Sequence, residues 1–169
     1  MSGRTIALVA AGAVLVVDQL TKWWVVATLP GDPIVLVDGV LQLRYVRNTG
    51  AAFGILEGAG SIIALVAVAT GVLIVAAVRR DPGRWESLAL GLVGGGAMGN
   101  LVDRVFRGDG LLDGAVVDWF DLDFFPAFNV ADSAITVGAF LAVGLAFLVG
   151  SDDDEPAVEA AGPGPGVEG

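Results

Sequence analysis

The residues of this chain that could carry out chemistry are carboxylates and amides, because the sequence contains no histidine and no cysteine. This excludes Ser-His and Cys-His nucleophilic machinery, disulfides and the usual zinc and haem ligands. Two aspartates are the main candidates: Asp118 in "VVDW" and Asp132 in "NVADS". Two carboxylates held a few ångströms apart cannot both ionise easily, so one keeps a proton while the other stays basic. Such a pair can activate water and protonate a leaving amine, and we predict no metal or cofactor.

The elements that must position these carboxylates are membrane helices. Apolar residues make up 55% of the 169 residues and charged residues 17%, a composition that excludes an ordinary soluble domain. A helix needs about 20 apolar residues to cross a bilayer, and four segments reach or approach that length. They are Thr5–Leu29, Ala59–Val78, Ser87–Phe106 and Ala134–Val149. The sequence therefore predicts an all-α membrane protein, a bundle of four transmembrane helices.

The fourth segment is too short unless it begins among polar residues. Its 16 residues from Ala134 to Val149 would reach about 24 Å, short of a hydrocarbon core of about 30 Å. To cross fully it must include "NVADS", which places Asp132 at or just inside the membrane boundary. The alternative is that Asp132 or Ser133 only caps the helix, a role that does not exclude catalysis.

A β-element and a tail complete the predicted organisation. Two strand-like runs flank Asp38-Gly39, a type I′ hairpin signal, so we predict a small extramembrane β-element at about residues 33–56, between helices 1 and 2. Residues 1–150 form the predicted membrane domain, and the acidic, Gly/Pro-rich residues 151–169 are predicted to be disordered. No basic patch supports nucleic-acid binding.

Unusual polar residues map to one face of this predicted domain. With four membrane-spanning helices, helix 1 ends on the face where helix 2 begins, and helix 3 ends where helix 4 begins. Ionisable groups at membrane depth are costly and are functional candidates by default. Those on the shared face are Asp18, Lys22, Asn48, Asn100, Asp103, Arg104, Asp118, Asn129 and Asp132. In helix 3, Gly95 and Gly99 form a GxxxG pair, which we interpret as a packing surface.

Three alternatives stay open on the residues alone. Lys22, the only lysine, could activate Ser133, but Asp18 four residues earlier would hold its charge and make it a poor base. An ion-coupled transporter or channel would use the same acids, but it predicts polar residues through the membrane depth, whereas helix 2 is wholly apolar. The third is a noncatalytic assembly protein that binds through the Gly-rich helix.

Five motifs occur in an order that resembles bacterial lipoprotein signal peptidase (signal peptidase II). They are "DQLTKWW", "RNTGAAFG", "GGAMGNLVDR", "VVDWFD" and "FPAFNVADSAITVG". The resemblance extends from about Asp18 to Gly138. It implies a four-helix membrane aspartyl peptidase with an extracytoplasmic β-element. Its partners would be membrane lipid and the signal peptide of a lipid-modified prolipoprotein, cleaved just before the diacylglyceryl-modified cysteine.

The resemblance also implies roles for individual residues. Asp118 and Asp132 match the catalytic dyad, and the polar residues around the site match at Asn48, Asn100, Arg104, Asn129 and Asp18. We expect Asn100 and Asn129 to orient the carboxylates. We expect Arg104 to tune their charge or to bind a substrate carbonyl, and Asp18 to form a structural pair with Lys22. The segment Phe53–Ile55 is expected to shape a lipid-side groove. The stretch between Arg104 and Val117 is longer than the family leads us to expect.

The arginines predict the orientation. Arg79, Arg80 and Arg84 cluster densely, and with Arg4 they favour a cytoplasmic location for their face. We therefore expect a multi-pass protein of the bacterial cytoplasmic membrane, with both termini in the cytoplasm and the active face outside.

Overall fold

The computed structural model describes residues 1–50, 60–109 and 112–152. Four helices occur there: α1 (Gly3–Thr28), α2 (Gly60–Val78), α3 (Arg84–Phe106) and α4 (Val130–Asp152). The four strands are β1 (Ile34–Val37), β2 (Leu41–Asn48), β3 (Val116–Leu122) and β4 (Phe125–Phe128). The predicted groove segment Phe53–Ile55 and all but the first two residues of the predicted tail lie outside the described residues.

Two of these helices are long and apolar enough to cross a membrane, judged by length and composition: α1 and the part of α4 over Val130–Leu148. In α2, Leu65–Val78 forms a shorter apolar stretch. The prediction of four helices is confirmed, while four membrane crossings stay a prediction. Helix α4 begins at Val130, before the predicted Ala134, and Asp132 lies in its first turn.

The β structure is larger than predicted. One antiparallel sheet has the order β1-β2-β3-β4, and its last two strands come from the connection between α3 and α4. The predicted β-element between helices 1 and 2 is present as β1 and β2, but the expectation that β structure is confined to it is wrong. Strand β3 was not predicted because it is buried almost throughout. Its sequence therefore lacks the alternation of polar and apolar residues that marks a half-exposed strand.

The chain reversals also differ from expectation. A type I′ turn needs positive φ at both central residues, but of Asp38 and Gly39 only Gly39 has it, at 66°. The turn there occupies three residues, 38–40, and Val40 N–H donates to Val37 O at 3.0 Å. Between β3 and β4 the chain turns at residues 123–124. Pro126 lies in β4, an edge strand, which tolerates a missing N–H.

Helix α3 lies between α1 and α4, and glycines allow the close approach. A Cβ atom on Gly95 would lie 2.6 Å from the carbonyl oxygen of Ala11 in α1, and one on Gly99 would lie 2.6 Å from Asp18 Oδ2. A Cβ atom on Gly96 would likewise clash with the backbone carbonyl group of Ala131 in α4. These contacts support the interpretation of the Gly-rich stretch as a packing surface, and they bring three helices together beneath the sheet.

Candidate active site

Strand β3 holds the first predicted carboxylate. Asp118 is 1% exposed, and its Oδ2 accepts a hydrogen bond of 2.9 Å from Asn48 Nδ2 on the neighbouring strand β2. Val46 is the cross-strand partner of Asp118, and Asn48 lies two residues further along β2. Side chains two residues apart on a strand share a face, so the sheet register itself brings Asn48 to Asp118.

The start of α4 holds the second carboxylate, in a reciprocal cap. Asn129 Oδ1 accepts from the backbone N–H of Asp132 at 2.9 Å, and Asp132 Oδ2 accepts from the backbone N–H of Asn129 at 3.2 Å. This is capping-box geometry, with Asn129 as the N-cap and Asp132 three residues later. The alternative in which Asp132 or Ser133 is the N-cap is therefore wrong: Asn129 is the N-cap, and its bonds hold Asp132 in place.

Asparagine amides connect the two carboxylates. Asn129 Nδ2 donates to Asp118 Oδ1 at 2.6 Å, while Asn100 Nδ2 on α3 donates to Asp132 Oδ1 at 2.8 Å. Asn129 Nδ2 also lies 3.2 Å from Asn100 Oδ1. Each oxygen of both aspartates thus accepts an amide N–H, which fixes the orientation of both groups. The structure brings the predicted residues Asn48, Asn100, Asn129, Asp118 and Asp132 into one cluster.

The environment of Asp118 favours its protonated form. Burial away from water raises the pKa of Asp118 to about 7, although hydrogen bonds from Asn48 and Asn129 oppose the rise. The nearby charge of Asp132 raises this pKa further, whereas the charge of Lys22 lowers it. A carboxyl group with this pKa can hold or release a proton near neutral pH, as general acid–base chemistry requires.

Lys22 is part of a buried ion cluster below the carboxylates. Its ammonium Nζ lies 2.8 Å from Asp18 Oδ2 and 2.9 Å from Asp103 Oδ2, and all three side chains are fully buried. Ser133 Oγ instead donates to the carbonyl oxygen of Asn129 at 3.0 Å. Lys22 and Ser133 therefore bond to different partners, and the geometry gives the Ser-Lys alternative no support.

Asp18 and Arg104 anchor backbone near the carboxylates. Asp18 Oδ1 accepts from the backbone N–H of Ala131 at 3.0 Å, and so satisfies a free donor of the first turn of α4. Arg104 donates to the carbonyl oxygens of Gly114 at 2.9 Å and Gly50 at 2.8 Å. Its third nitrogen, Nε, is buried and has no hydrogen-bond partner among the described residues.

The sequence analysis placed Asp103 on the shared polar face but gave it no role in the site, and it did not identify Gln19. Asp103 accepts the backbone N–H of Val117 at 3.1 Å and so ties α3 to β3, one residue before Asp118. Gln19 donates to the carbonyl oxygen of Gly99 and to Asp18 Oδ2, both at 3.1 Å. The spacing of Asp103 from Asn100 was a usable signal, because both lie on one helical face; Gln19 had no such signal.

A cavity of about 700 Å³ opens beside Asp132, whereas Asp118 is not among the residues that line it. Polar groups line one side, including Asp132 and Arg104, and mostly apolar residues of β4 and α4 line the rest. A largely apolar cavity with a few convergent polar groups is the usual form of a ligand site. Its polar lining residues are Asn48, Asn100, Arg104, Asp132, Ser133 and Thr136.

Comparisons with known proteins agree on one family. Residues 10–148 match the family described as signal peptidase (SPase) II. The chain is 47% identical to the lipoprotein signal peptidase of Rhodococcus jostii (strain RHA1), over 89% of this chain and 76% of that protein. It is 43% identical to the lipoprotein signal peptidase of Mycolicibacterium smegmatis, over 87% of this chain and 63% of that protein. A solved structure described as a bacterial membrane enzyme matches with a TM-score of 0.76 and 30% identity, over 89% of this chain and 92% of that one.

Proposed function

The chain belongs to the signal peptidase II family of peptidases, and from this premise we propose that Asp118 and Asp132 form a catalytic dyad that cleaves prolipoprotein signal peptides. One observation carries the proposal. Asn129 binds Asp118 through its side-chain amide and Asp132 through its backbone N–H, so that a single residue holds both carboxylates. With no histidine or cysteine in the sequence, a carboxylate pair is the chemistry that this site supports best.

The charges around the pair support a single shared proton. Lys22 pairs with Asp18 and Asp103, Arg107 pairs with Asp103, and Arg104 interacts electrostatically with Asp103 and Asp118. Hydrogen bonds through Asn100 and Asn129 connect this group to Asp132 and Asp118, so that three cations lie among four carboxylates. One proton on the dyad makes the cluster neutral. Neutrality matters because unpaired buried charge is costly.

The proposed reaction uses this proton twice. A water molecule between the carboxylates loses a proton to the ionised one and attacks the scissile carbonyl carbon. The protonated carboxyl group donates a hydrogen bond to the developing oxyanion. The dyad then gives a proton to the leaving nitrogen as the C–N bond breaks, and the new carboxyl terminus forms. The unpaired Nε–H of Arg104 supplies a further donor for a carbonyl oxygen of the substrate backbone.

The cavity suits a substrate that is both peptide and lipid. We propose that the signal peptide of a diacylglyceryl-modified prolipoprotein enters it and is cut just before the modified cysteine. Two acyl chains keep such a cysteine close to the membrane interface, at the depth of a site built on helix ends. We further propose four membrane crossings in the bacterial cytoplasmic membrane, with the site outside and both termini in the cytoplasm. No cofactor is part of this proposal.

The test is cleavage of a synthetic diacylglyceryl-modified prolipoprotein peptide by the purified protein in detergent. Asp118→Asn and Asp132→Asn should each lower kcat by at least about 10³-fold, with thermal unfolding still cooperative. Asp121→Asn is the matched control, because Asp121 lies on β3 but pairs with Arg44 at 2.9 Å instead of with the dyad. Its turnover should stay near wild type. Retained turnover in either dyad variant would refute the dyad.

A further inference from the structure

Lys22 makes a third hydrogen bond that a simple ion pair would not need. Its ammonium group has three N–H donors, and two of them go to Asp18 and Asp103. The third goes to Asn100 Oδ1 at 2.9 Å. The whole side chain is 0% exposed, so every donor is directed within the protein. The one neutral partner, Asn100, is the residue that contacts Asp132.

The orientation of the Asn100 amide depends on this bond. Asn100 can donate to Asp132 Oδ1 only while its Nδ2 faces that carboxylate and its Oδ1 faces away. A lysine ammonium is a donor only, so Lys22 fixes the amide in this orientation. The other donor to Asn100 Oδ1 is Asn129 Nδ2, at the longer distance of 3.2 Å. An amide turned the other way would present oxygen to Asp132 and repel it.

We propose that Lys22 is a positioning residue of the peptidase: it locks the Asn100 amide against Asp132, and its charge stabilises the ionised form of the dyad. This inference rests on the proposed function. It assigns Lys22 more than the structural pair with Asp18 that the sequence suggested. The bond acts through Asn100, and Lys22 does not line the cavity. Lys22 therefore affects turnover rather than substrate binding.

The surroundings of Lys22 and Asn100 contain charged groups from each of the elements packed there, α1, α3, α4 and β3. Asp18 lies on α1 with Lys22; Asp103 lies on α3, where Arg107 Nε binds its other oxygen at 2.7 Å. Arg104 on α3 and Asp118 on β3 interact electrostatically, and Asp132 lies on α4. Lys22 is the one cation of this group that bonds to Asn100, and its charge lowers the pKa of Asp118. Loss of the charge should thus make the dyad harder to ionise.

The first test compares Lys22→Gln with Arg107→Gln in the lipopeptide cleavage assay, from pH 4 to pH 9. Both variants remove a cation that contacts Asp103, but Arg107 is 29% exposed and its Nε binds Asp103 Oδ1, whereas Lys22 also bonds to Asn100. Lys22→Gln should lower kcat about 10- to 100-fold, change KM little, and move the pH–rate profile upward by about one unit. Arg107→Gln should lower kcat less and shift the profile by a smaller amount than Lys22→Gln does, because Arg107 is partly exposed to solvent and does not bond to Asn100. A folded Lys22→Gln variant with wild-type kcat and profile would overturn the proposal.

A second measurement needs no variant, because Lys22 is the only lysine in the chain. Protein labelled with ¹³C at lysine Cε gives one NMR signal from this side chain. The signal should shift with pH at the same apparent pKa values as the kinetic profile, since Lys22 senses the charge of the dyad. A signal that stays constant over the pH range where activity changes overturns the proposal, even if Lys22→Gln fails to fold. Failure of the dyad itself would appear separately, as turnover by Asp118→Asn.

Discussion

Asn129 Nδ2 lies 2.6 Å from Asp118 Oδ1, and this hydrogen bond links the first residue before helix α4 to the middle of strand β3. Because Asn129 is also the cap of α4, one side chain links the position of Asp118 to that of Asp132, while Asn48 and Asn100 hold the other oxygen of each carboxylate. The catalytic geometry that we propose is therefore coupled to the formation of both the sheet and the helix end.

Substitution of Asn129 should separate its two roles. Asn129→Ser keeps an oxygen that can cap α4 but lacks the amide that reaches Asp118, so we expect near-normal thermal stability with impaired cleavage. The lost hydrogen bond should raise the pKa of Asp118 further and shift the acid limb of the pH–rate profile upward. Asn129→Ala should in addition lose about 1 kcal/mol of stability with the cap. Equal stability and equal cleavage in the two variants would contradict this division of roles.

The raised pKa of Asp118 predicts a pH dependence of stability. Folding raises this pKa from 3.8 to about 7, so the folded protein binds the proton more tightly than the unfolded chain does. The contribution of Asp118 to stability is then complete below about pH 4 and is lost as the pH rises to about 7, by at most about 1.4 kcal/mol per pH unit. Asp118→Asn should remove this loss.

The measurement is thermal unfolding in detergent at pH 5 and at pH 8. The stability of Asp118→Asn relative to wild type should be higher at pH 8 than at pH 5. The exposed Asp123→Asn is the control, and the same gain there would contradict the assignment.

Glycine at position 99 is predicted to be essential for packing. A Cβ atom there would lie 2.6 Å from Asp18 Oδ2. The Asp18 carboxylate cannot easily move aside, because it is buried, its Oδ2 pairs with Lys22, and its Oδ1 accepts a hydrogen bond from Ala131 in α4. Gly99→Ala should therefore lower stability by about 1–3 kcal/mol and reduce cleavage. Gly12→Ala in α1 is the matched helical control, because no atom lies within 4 Å of its added Cβ. Thermal unfolding midpoints of both variants decide the matter, and a wild-type midpoint for Gly99→Ala would count against this packing.

Arg104 should not be replaceable by lysine. Its guanidinium group donates to two separate carbonyl oxygens, those of Gly50 and Gly114, and its Nε–H has no partner in the part of the chain that the structure describes. An ammonium group lacks this fixed fork of donors. Arg104→Lys should lower kcat/KM at least about tenfold. Arg107→Lys, in which one ion pair to Asp103 can be remade, should retain activity. Equal kcat/KM values for both variants would remove Arg104 from the proposed site.

The proposed orientation can be tested with reporter enzymes that are active only outside the cytoplasm. Arg4 donates to the carbonyl oxygen of Arg79 at 2.7 Å, so the start of α1 and the end of α2 lie on the same face. A reporter inserted between Val78 and Arg84 should be inactive, because the arginine-rich face is expected in the cytoplasm. A reporter inserted at Gly31, after α1, should be active. The reverse pattern would place the site on the cytoplasmic side.

The sequence by itself determined the helices and the polar face. Apolar length is a local property, so the segments that became α1 to α4 could be identified from composition alone. The need to lengthen the fourth segment also placed Asp132 correctly within its first turn. The order of the motifs identified the family, which the comparisons confirmed.

Only the tertiary structure decided how those residues meet. Strand β3 pairs with β2, and the Asn48–Asp118 bond joins residues 70 apart in sequence, which no local pattern predicts. The capping role of Asn129 and the third hydrogen bond of Lys22 likewise depend on side chains from different elements. The length of an apolar segment is a property of consecutive residues, whereas the hydrogen-bond partners of a side chain depend on how separate elements pack together. For that reason the sequence could name the two carboxylates but not the network that orients them.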